Sequence, residues 1–301
     1  MIKEKALIQK KPIRERIHEI DLIRGICIIL MCMDHFMWDM TSRFGGIITI
    51  LFGFNPYSPD NPAWLEGWLK GANFYYGNEF RHYIRLIIIA IFFILSGISC
   101  YLSKSNFKRG SYALGFGLVI TFATLGASLL IPGFENTFIP FGVMSCFGLS
   151  IIIYAFLNFL SRKAFKEHHQ NIWKYIALLL GIIFVSLGVG FGYYGSIESA
   201  IPPTDVKSWL EVIFGSIVGS TRYGADFFPI FPYVGFIFIG AFIGETVFKE
   251  KKSLVPGINN AFTRPIFFIG RKTIWVYIIH QVVFIILYVI LFLALGFKLN
   301  F

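Results

Sequence analysis

The feature that most constrains this chain is a series of apolar stretches, each about as long as a membrane is thick. A hydrocarbon core of about 30 Å takes about 20 helical residues to cross. Seven stretches meet that length, roughly 22–40, 82–102, 112–131, 138–160, 173–193, 227–248 and 273–295. Lipid offers no partners to backbone N–H and C=O groups, so each run must pair internally as a helix. The expected fold class is all-α, a polytopic integral membrane helix bundle of about seven spans (eight or more if re-entrant segments count), forming one domain over 1–301.

Composition agrees. The 301 residues are 56% hydrophobic and only 15% charged, against about 25% charged in soluble domains. Such a chain cannot cover a soluble surface, and it is far too apolar for disorder. Four Cys in 301 residues exclude a disulfide scaffold. Cys27, Cys32, Cys100 and Cys146 all lie in apolar runs without a CxxC pair, so they are expected to be small buried hydrophobes.

The net charge of +10 sorts by loop. If the chain weaves, twenty Lys and Arg fall on the side of residues 1–24, 104–109, 162–174 and 249–272. Seven fall opposite: Arg43, Lys70, Arg81, Arg85, Lys207, Arg222 and Lys298. That asymmetry predicts a cytoplasmic N-terminus, with 1–20 as a cytoplasmic segment, in a multi-pass protein of the plasma membrane. It also accounts for the basic excess without nucleic acid as a partner. No small-residue cleavage site follows the first apolar run, so that run is expected to stay as an anchor.

Two stretches are not full spans. Residues 209–220 are apolar but short, and a span there would move Lys249, Lys251 and Lys252 outside, so a re-entrant or interfacial segment is expected. Residues 62–80, rich in Trp and Tyr, read as an interfacial helix within an outer loop over 41–80. With 196–225 they make the largest non-cytoplasmic surface. The GxxxG spacings Gly188–Gly192 and Gly240–Gly244 allow close helix approach.

Ionisable residues inside a span are expensive to bury and point to function. The first stretch, EIDLIRGICIILMCMDHFMWD, carries the richest set. Asp21 and Arg24 are three apart, within pairing reach. Asp34 and His35 lie deep in the same run, and Asp39, four after His35, is placed to orient its imidazole. Arg24 and His35 are eleven residues apart, hence on one face and about 16 Å apart along the axis. A cation near the cytoplasm and a general base past the midplane suit a donor entering from inside and an acceptor outside. Against this stand two plainer readings: an Arg24 that snorkels and a His35 that is merely a satisfied structural group.

A second set lies in the last stretch, GRKTIWVYIIHQ, with Arg271, Lys272, Tyr277, His280 and Gln281. Asp226 precedes Pro229 and Pro232, which imply a broken helix start, and irregular backbone at that depth lines cavities. Arg81, His82 and Arg85 open the second stretch, an interfacial set with a candidate anion-binding role. His168 and His169 have only Glu167 beside them, which makes no metal site. No P-loop, GxSxG, HExxH or dinucleotide fingerprint occurs.

IDLIRGICIILMCMDH resembles the first-span motif of membrane acyltransferases, in which an Arg and a His are separated by ten residues; Arg24 and His35 keep that spacing. More narrowly, FGVMSCFGLS (141–150), DFFPIFPYVGFIFIGAFIG (226–244) and GRKTIWVYIIHQ (270–281) resemble, in order, the bacterial branch related to heparan-α-glucosaminide N-acetyltransferase. Ser145 stands where relatives often carry His. The resemblance implies transfer of an acyl group, usually acetyl, from cytosolic acyl-CoA to an amine or hydroxyl of an extracytoplasmic sugar or glycan. Heparan itself is not the expected acceptor, because the large lumenal domain of eukaryotic members has no counterpart here.

In that reading His35 is the general base, a role worth about 10²–10⁴-fold in rate, with Asp34 or Asp39 orienting it. Tyr277 or His280 polarises the thioester carbonyl. Arg24, Arg109, Arg271 and Lys272 hold the donor; Asp226, Arg81 and His82 face the acceptor. Acetyl-CoA is the expected co-substrate and no metal is expected. Partners are acyl-CoA, the glycan acceptor and membrane lipid, with a homo-oligomer left open. Direct transfer and an acetyl-histidine relay are both open. The rival class is a proton-coupled transporter or a lipid or glycan flippase, which also uses buried Asp and His; the lack of an inverted repeat speaks against it.

Overall fold

The computed structural model describes residues 16–41, 46–53, 61–190 and 201–299. The basic segment before Arg16, Arg43, Gly192 and much of the outer 196–225 loop's start lie outside these residues. The described residues are helical, without a strand. In chain order they form α1 (His18–Asp39), α2 (Ile47–Phe52), α3 (Ala63–Tyr76), α4 (Glu79–Leu102), α5 (Asn106–Leu130), α6 (Val143–Phe165), α7 (His169–Gly190), α8 (Val206–Val218), α9 (Ile230–Thr246), α10 (Arg264–Arg271) and α11 (Thr273–Ala294).

Five of these, α4, α5, α6, α7 and α11, are long and apolar enough to cross a membrane. The other two apolar stretches also fold as helices. In α1, Asp21, Arg24, Asp34 and Asp39 interrupt the apolar run. Helix α9 has 17 residues, about 26 Å by helical rise.

The main differences from the expected boundaries have local causes. Helix α6 starts at Val143 rather than 138, because Pro140 lacks an N–H and Gly142 is extended (φ −94°, ψ −174°). Helix α9 starts after Pro229, and Phe231, forced out of the helical region by Pro232, keeps φ −99° and ψ 134°. The broken start expected from these prolines is there.

The short apolar stretch is α8, capped by the Asp205 carboxylate accepting from Ser208 N–H at 2.9 Å. Its 13 residues rise about 20 Å, too little to span. In α3, Leu65, Leu69 and Ala72 are buried at helical spacing. They pack with Met40, Ile48, Tyr288 and Phe292, while Trp64 and Phe74 stay exposed.

Helix α9 is apolar all round, as a buried helix should be, and sits among α4, α6 and α7. Phe93, Cys146, Tyr154, Trp173, Ile237 and Phe238 form the core between them. Glycine makes the closest approach possible. A Cβ on Gly97 would lie 2.1 Å from the Ile237 carbonyl oxygen, and one on Gly240 2.1 Å from that of Ile94. The Gly240–Gly244 spacing thus serves the α4–α9 contact. Helix α1 meets α10 the same way: a Cβ on Gly270 would lie 1.9 Å from the Asp21 carbonyl oxygen, and one on Gly25 2.2 Å from that of Ile266. Cys27, Cys100 and Cys146 are buried thiols and Cys32 is half-buried.

Candidate active site

Helices α1 and α4 run antiparallel, and each sends an arginine to the other. From α1, Arg24 donates through Nη2 to the Leu95 carbonyl (3.3 Å) and to the Ser99 hydroxyl. Ser99 in turn donates to Leu95 O at 2.8 Å. From α4, Arg81 donates through Nε to Asp34 Oδ1 at 2.7 Å and through Nη2 to Asp34 Oδ2. These two ties lie near opposite ends of one helix pair.

At the Arg24 end, Asp21 sits between two guanidinium groups, with Oδ1 at 3.9 Å from Arg24 and Oδ2 at 3.9 Å from Arg271. Arg109 is close enough to Arg24 for electrostatic repulsion, and it faces Asn106 Oδ1 at 3.5 Å. Two guanidiniums flank the Asp21 carboxylate and a third, that of Arg109, is felt by Arg24, which leaves an excess of positive charge. Arg24 does not snorkel: its guanidinium turns into the helix pair, with the side chain 24% exposed. Lys272 lies at the α10–α11 junction, exposed to solvent. The end that holds these residues also holds Glu19, which accepts from Leu254 N–H at 2.7 Å.

At the other end, the His35 and His280 rings meet edge to face, centroids 5.0 Å apart. His280 Nδ1 lies 2.7 Å from the Tyr277 carbonyl oxygen. A carbonyl only accepts, so Nδ1 carries the proton and, in the neutral ring, Nε2 is the basic nitrogen. That Nε2 is buried without a hydrogen-bond partner among the described residues. His35 itself is exposed although it touches this ring. The Tyr277 ring lies 5.8 Å from that of His280.

The acidic residues behave differently from expectation. Asp34 is consumed by Arg81, with Tyr75 Oη donating to Oδ1 at 3.3 Å. Asp39 does not orient His35: its Oδ1 accepts from Gln281 Nε2 at 2.7 Å, tying α1 to α11. Both Asp39 and His35 meet α11, Asp39 at Gln281 and His35 at His280, and Asp39 is fully buried. Arg81 is committed to Asp34 and stacked on Tyr76 at 3.9 Å. It is therefore a strut of the site. His82 is exposed, its ring 6.0 Å from that of Tyr83. Asp226 Oδ2 accepts from Val143 N–H at 3.0 Å, capping α6 from a distant loop. Burial pushes its carboxyl above the usual range, while Val143 N–H and the charge of Arg85 pull the other way.

The family model for heparan-alpha-glucosaminide N-acetyltransferase, catalytic domain, matches residues 16–55 and 64–282. The chain belongs to that family. The match takes in α1 and its Arg24–His35 pair, the Arg81 strut, Asp226 and the His280 end of α11, so every residue that builds this geometry falls inside the acetyltransferase domain. A heparan-alpha-glucosaminide N-acetyltransferase domain on several apolar helices is a membrane acetyltransferase. No curated protein and no solved structure matches the chain.

Sequence reading missed Ser99 and helix α10. Serine is cheap to bury and leaves no signal in an apolar run. Eight residues of α10 are too few for periodicity to register; its close approach to α1 rests on Gly270, which as a single glycine is silent.

Proposed function

We propose that this protein transfers an acetyl group from cytosolic acetyl-CoA to an amine or hydroxyl of an extracytoplasmic sugar or glycan. The observation that carries the reading is one helix, α1, with Arg24 and His35 about 16 Å apart by helical rise. The first sits in a guanidinium cluster and the second against a basic ring. The charge asymmetry of the loops supports seven crossings with the N-terminus in the cytoplasm of a plasma-membrane protein, which puts the guanidinium cluster inside.

Arg24, Arg109, Arg271 and the exposed Lys272 suit the phosphates of the donor, since guanidiniums pair with phosphate through directed forks. The donor's thiol arm then lies along α1 toward His35. His35 accepts the proton from the acceptor N–H or O–H as that nucleophile bonds to the thioester carbonyl carbon. The C–S bond breaks, and the thiolate regains the proton from the imidazolium. Tyr277, whose hydroxyl has no hydrogen-bond partner among the described residues, is the donor for the developing oxyanion. His280 holds the His35 ring in place. An acetyl-His35 relay uses the same groups in two steps.

The test is acetyl-CoA turnover by the full chain in nanodiscs with amino-sugar acceptors. In proteoliposomes, acetyl-CoA on one face must acetylate an acceptor held on the other. Acetylation of an acceptor only on the donor's own face sinks the transmembrane reading, and flux of sugar without acetyl-CoA supports a transporter.

A further inference from the structure

Between α9 and α11 the chain runs out along α1 and back. On the way out, Glu19 near the start of α1 accepts from Leu254 N–H at 2.7 Å. On the way back, α10 packs on α1 at two glycines. A Cβ on Gly25 would lie 2.2 Å from the Ile266 carbonyl oxygen, and one on Gly270 1.9 Å from that of Asp21. Residue numbers rise along α1 as they fall along α10, so the two helices are antiparallel. The turn before α10 therefore lies further along α1 than Gly25. Arg264 N–H donates to Asn260 O at 3.1 Å and Phe267 N–H to Thr263 O at 3.0 Å, so helical winding continues back into that turn. Phe262, four residues before Ile266, thus sits about 6 Å beyond Gly25 by helical rise, roughly level with Ile29.

The composition of this hairpin suits that depth. Arg264 is the only charged residue between Ser253 and Gly270, and Lys249, Lys251, Lys252, Arg271 and Lys272 bracket the stretch. Phe262 is 91% exposed, more than any other large apolar side chain among the described residues, and Leu254 and Phe268 are exposed with it. On α1, Ile26 and Ile29 are exposed at the same level. The turn also pairs its own backbone. Asn260 Oδ1 accepts from Phe262 N–H at 3.0 Å and from Thr263 N–H at 3.1 Å, and the Thr263 hydroxyl donates to Ile258 O at 2.6 Å. Lipid requires such internal pairing, and water does not. A phenyl ring held out in this way gains nothing in water and is favoured among acyl chains.

We propose that residues 253–271 form a re-entrant lipid anchor. Phe262 and Phe268 sit among the acyl chains of the leaflet at the Arg24 end, and Arg264 extends its guanidinium back to the phospholipid phosphates. The bracketing cations lie at the base of the hairpin, in the same headgroup layer. The anchor does not depend on the acetyltransferase reading. It does bear on the site, because α10 carries Arg271, whose Nε lies 3.9 Å from Asp21 Oδ2, and so fixes one side of the guanidinium cluster.

The experiment places an environment-sensitive nitrobenzoxadiazole dye on the full chain in phosphatidylcholine nanodiscs. The dye is attached at Phe262→Cys, or at Phe268→Cys should the first variant fail to fold, in a Cys32→Ser background; the other three thiols are buried. Glu250→Cys, at an exposed position before the hairpin, is the aqueous reference. In the hairpin the emission is expected to shift to the blue of the reference. It is expected to be quenched by lipid spin-labelled near the glycerol end of its acyl chain, and to escape quenching by aqueous iodide. Iodide quenching equal to that at the reference overturns the proposal, because the turn then stands in water. A blue shift without quenching by the spin-labelled lipid overturns it as well, because protein then covers the turn. Discs holding one copy or two tell whether that cover is a second copy or the chain itself.

Discussion

His280 presents its ring to His35 with Nδ1 already tied to the Tyr277 carbonyl at 2.7 Å, so the two imidazoles are not equivalent. His280 is buried and fixed in tautomer, and His35 is open. In the proposed mechanism it is the open one that takes the nucleophile's proton. We expect His35→Ala to lower acetyl transfer by about 10²–10⁴-fold, the range for loss of a general base, with acetyl-CoA binding retained. His280→Gln keeps a polar side chain against His35 and is expected to cost less than His35→Ala. Steady-state turnover and equilibrium binding of acetyl-CoA separate the two. Full turnover by His35→Ala removes the base.

The helical class and the helical fold of the seven apolar stretches were legible because period and burial cost are local properties of a sequence. The partners were not. Asp34 and Asp39 both lie near His35 in the chain, and nothing local says that Arg81, 47 residues on, claims one and Gln281, 242 residues on, claims the other. Pairing across helices follows from how the helices are placed against one another, which no local stretch of sequence states; the close approaches at Gly97 and Gly240 (α4–α9) and at Gly25 and Gly270 (α1–α10) are part of that placement.

The Asp34–Arg81 pair is mostly shielded, its side chains 18% and 10% exposed. Removing one partner strands the other charge, at a cost of about 3–5 kcal/mol for a buried pair. Asp34→Ala and Arg81→Ala should each lower thermal stability in detergent sharply. The double variant should be less destabilised than the sum of the two. Additive losses would show that the pair is not coupled.

Asp39 offers a sharper contrast with the expected orienting role. Asp39→Asn retains an oxygen that can accept from Gln281 Nε2, so turnover is expected to stay within a few-fold of wild type. Gln281→Leu leaves the Asp39 carboxylate buried with neither oxygen bonded, which costs about 1–3 kcal/mol or more. A collapse of turnover in Asp39→Asn with stability unchanged would return Asp39 to the chemistry.

Two glycines in spans distinguish close packing from mere composition. A Cβ on Gly126 meets nothing within 4 Å, whereas one on Gly240 overlaps the Ile94 carbonyl. Gly126→Ala is expected to be neutral or stabilising by up to about 1 kcal/mol, from helix propensity. Gly240→Ala must push α4 and α9 apart and should destabilise by about 1–3 kcal/mol. Melting temperatures of the two variants in one detergent check the sign of each.

At the donor end the sign of each substitution follows from charge. Arg24 and Arg271 flank Asp21 at 3.9 Å each, so the carboxylate partly neutralises two groups assigned to the donor's phosphates. Arg24→Gln removes a charge-assisted contact worth about 1.5–3 kcal/mol and should raise KM for acetyl-CoA by about tenfold or more. Asp21→Asn frees positive charge at the same place and should lower KM. The two variants must therefore move KM in opposite directions. If both raise it equally, Asp21 and Arg24 act only as a structural pair, and the phosphates bind elsewhere.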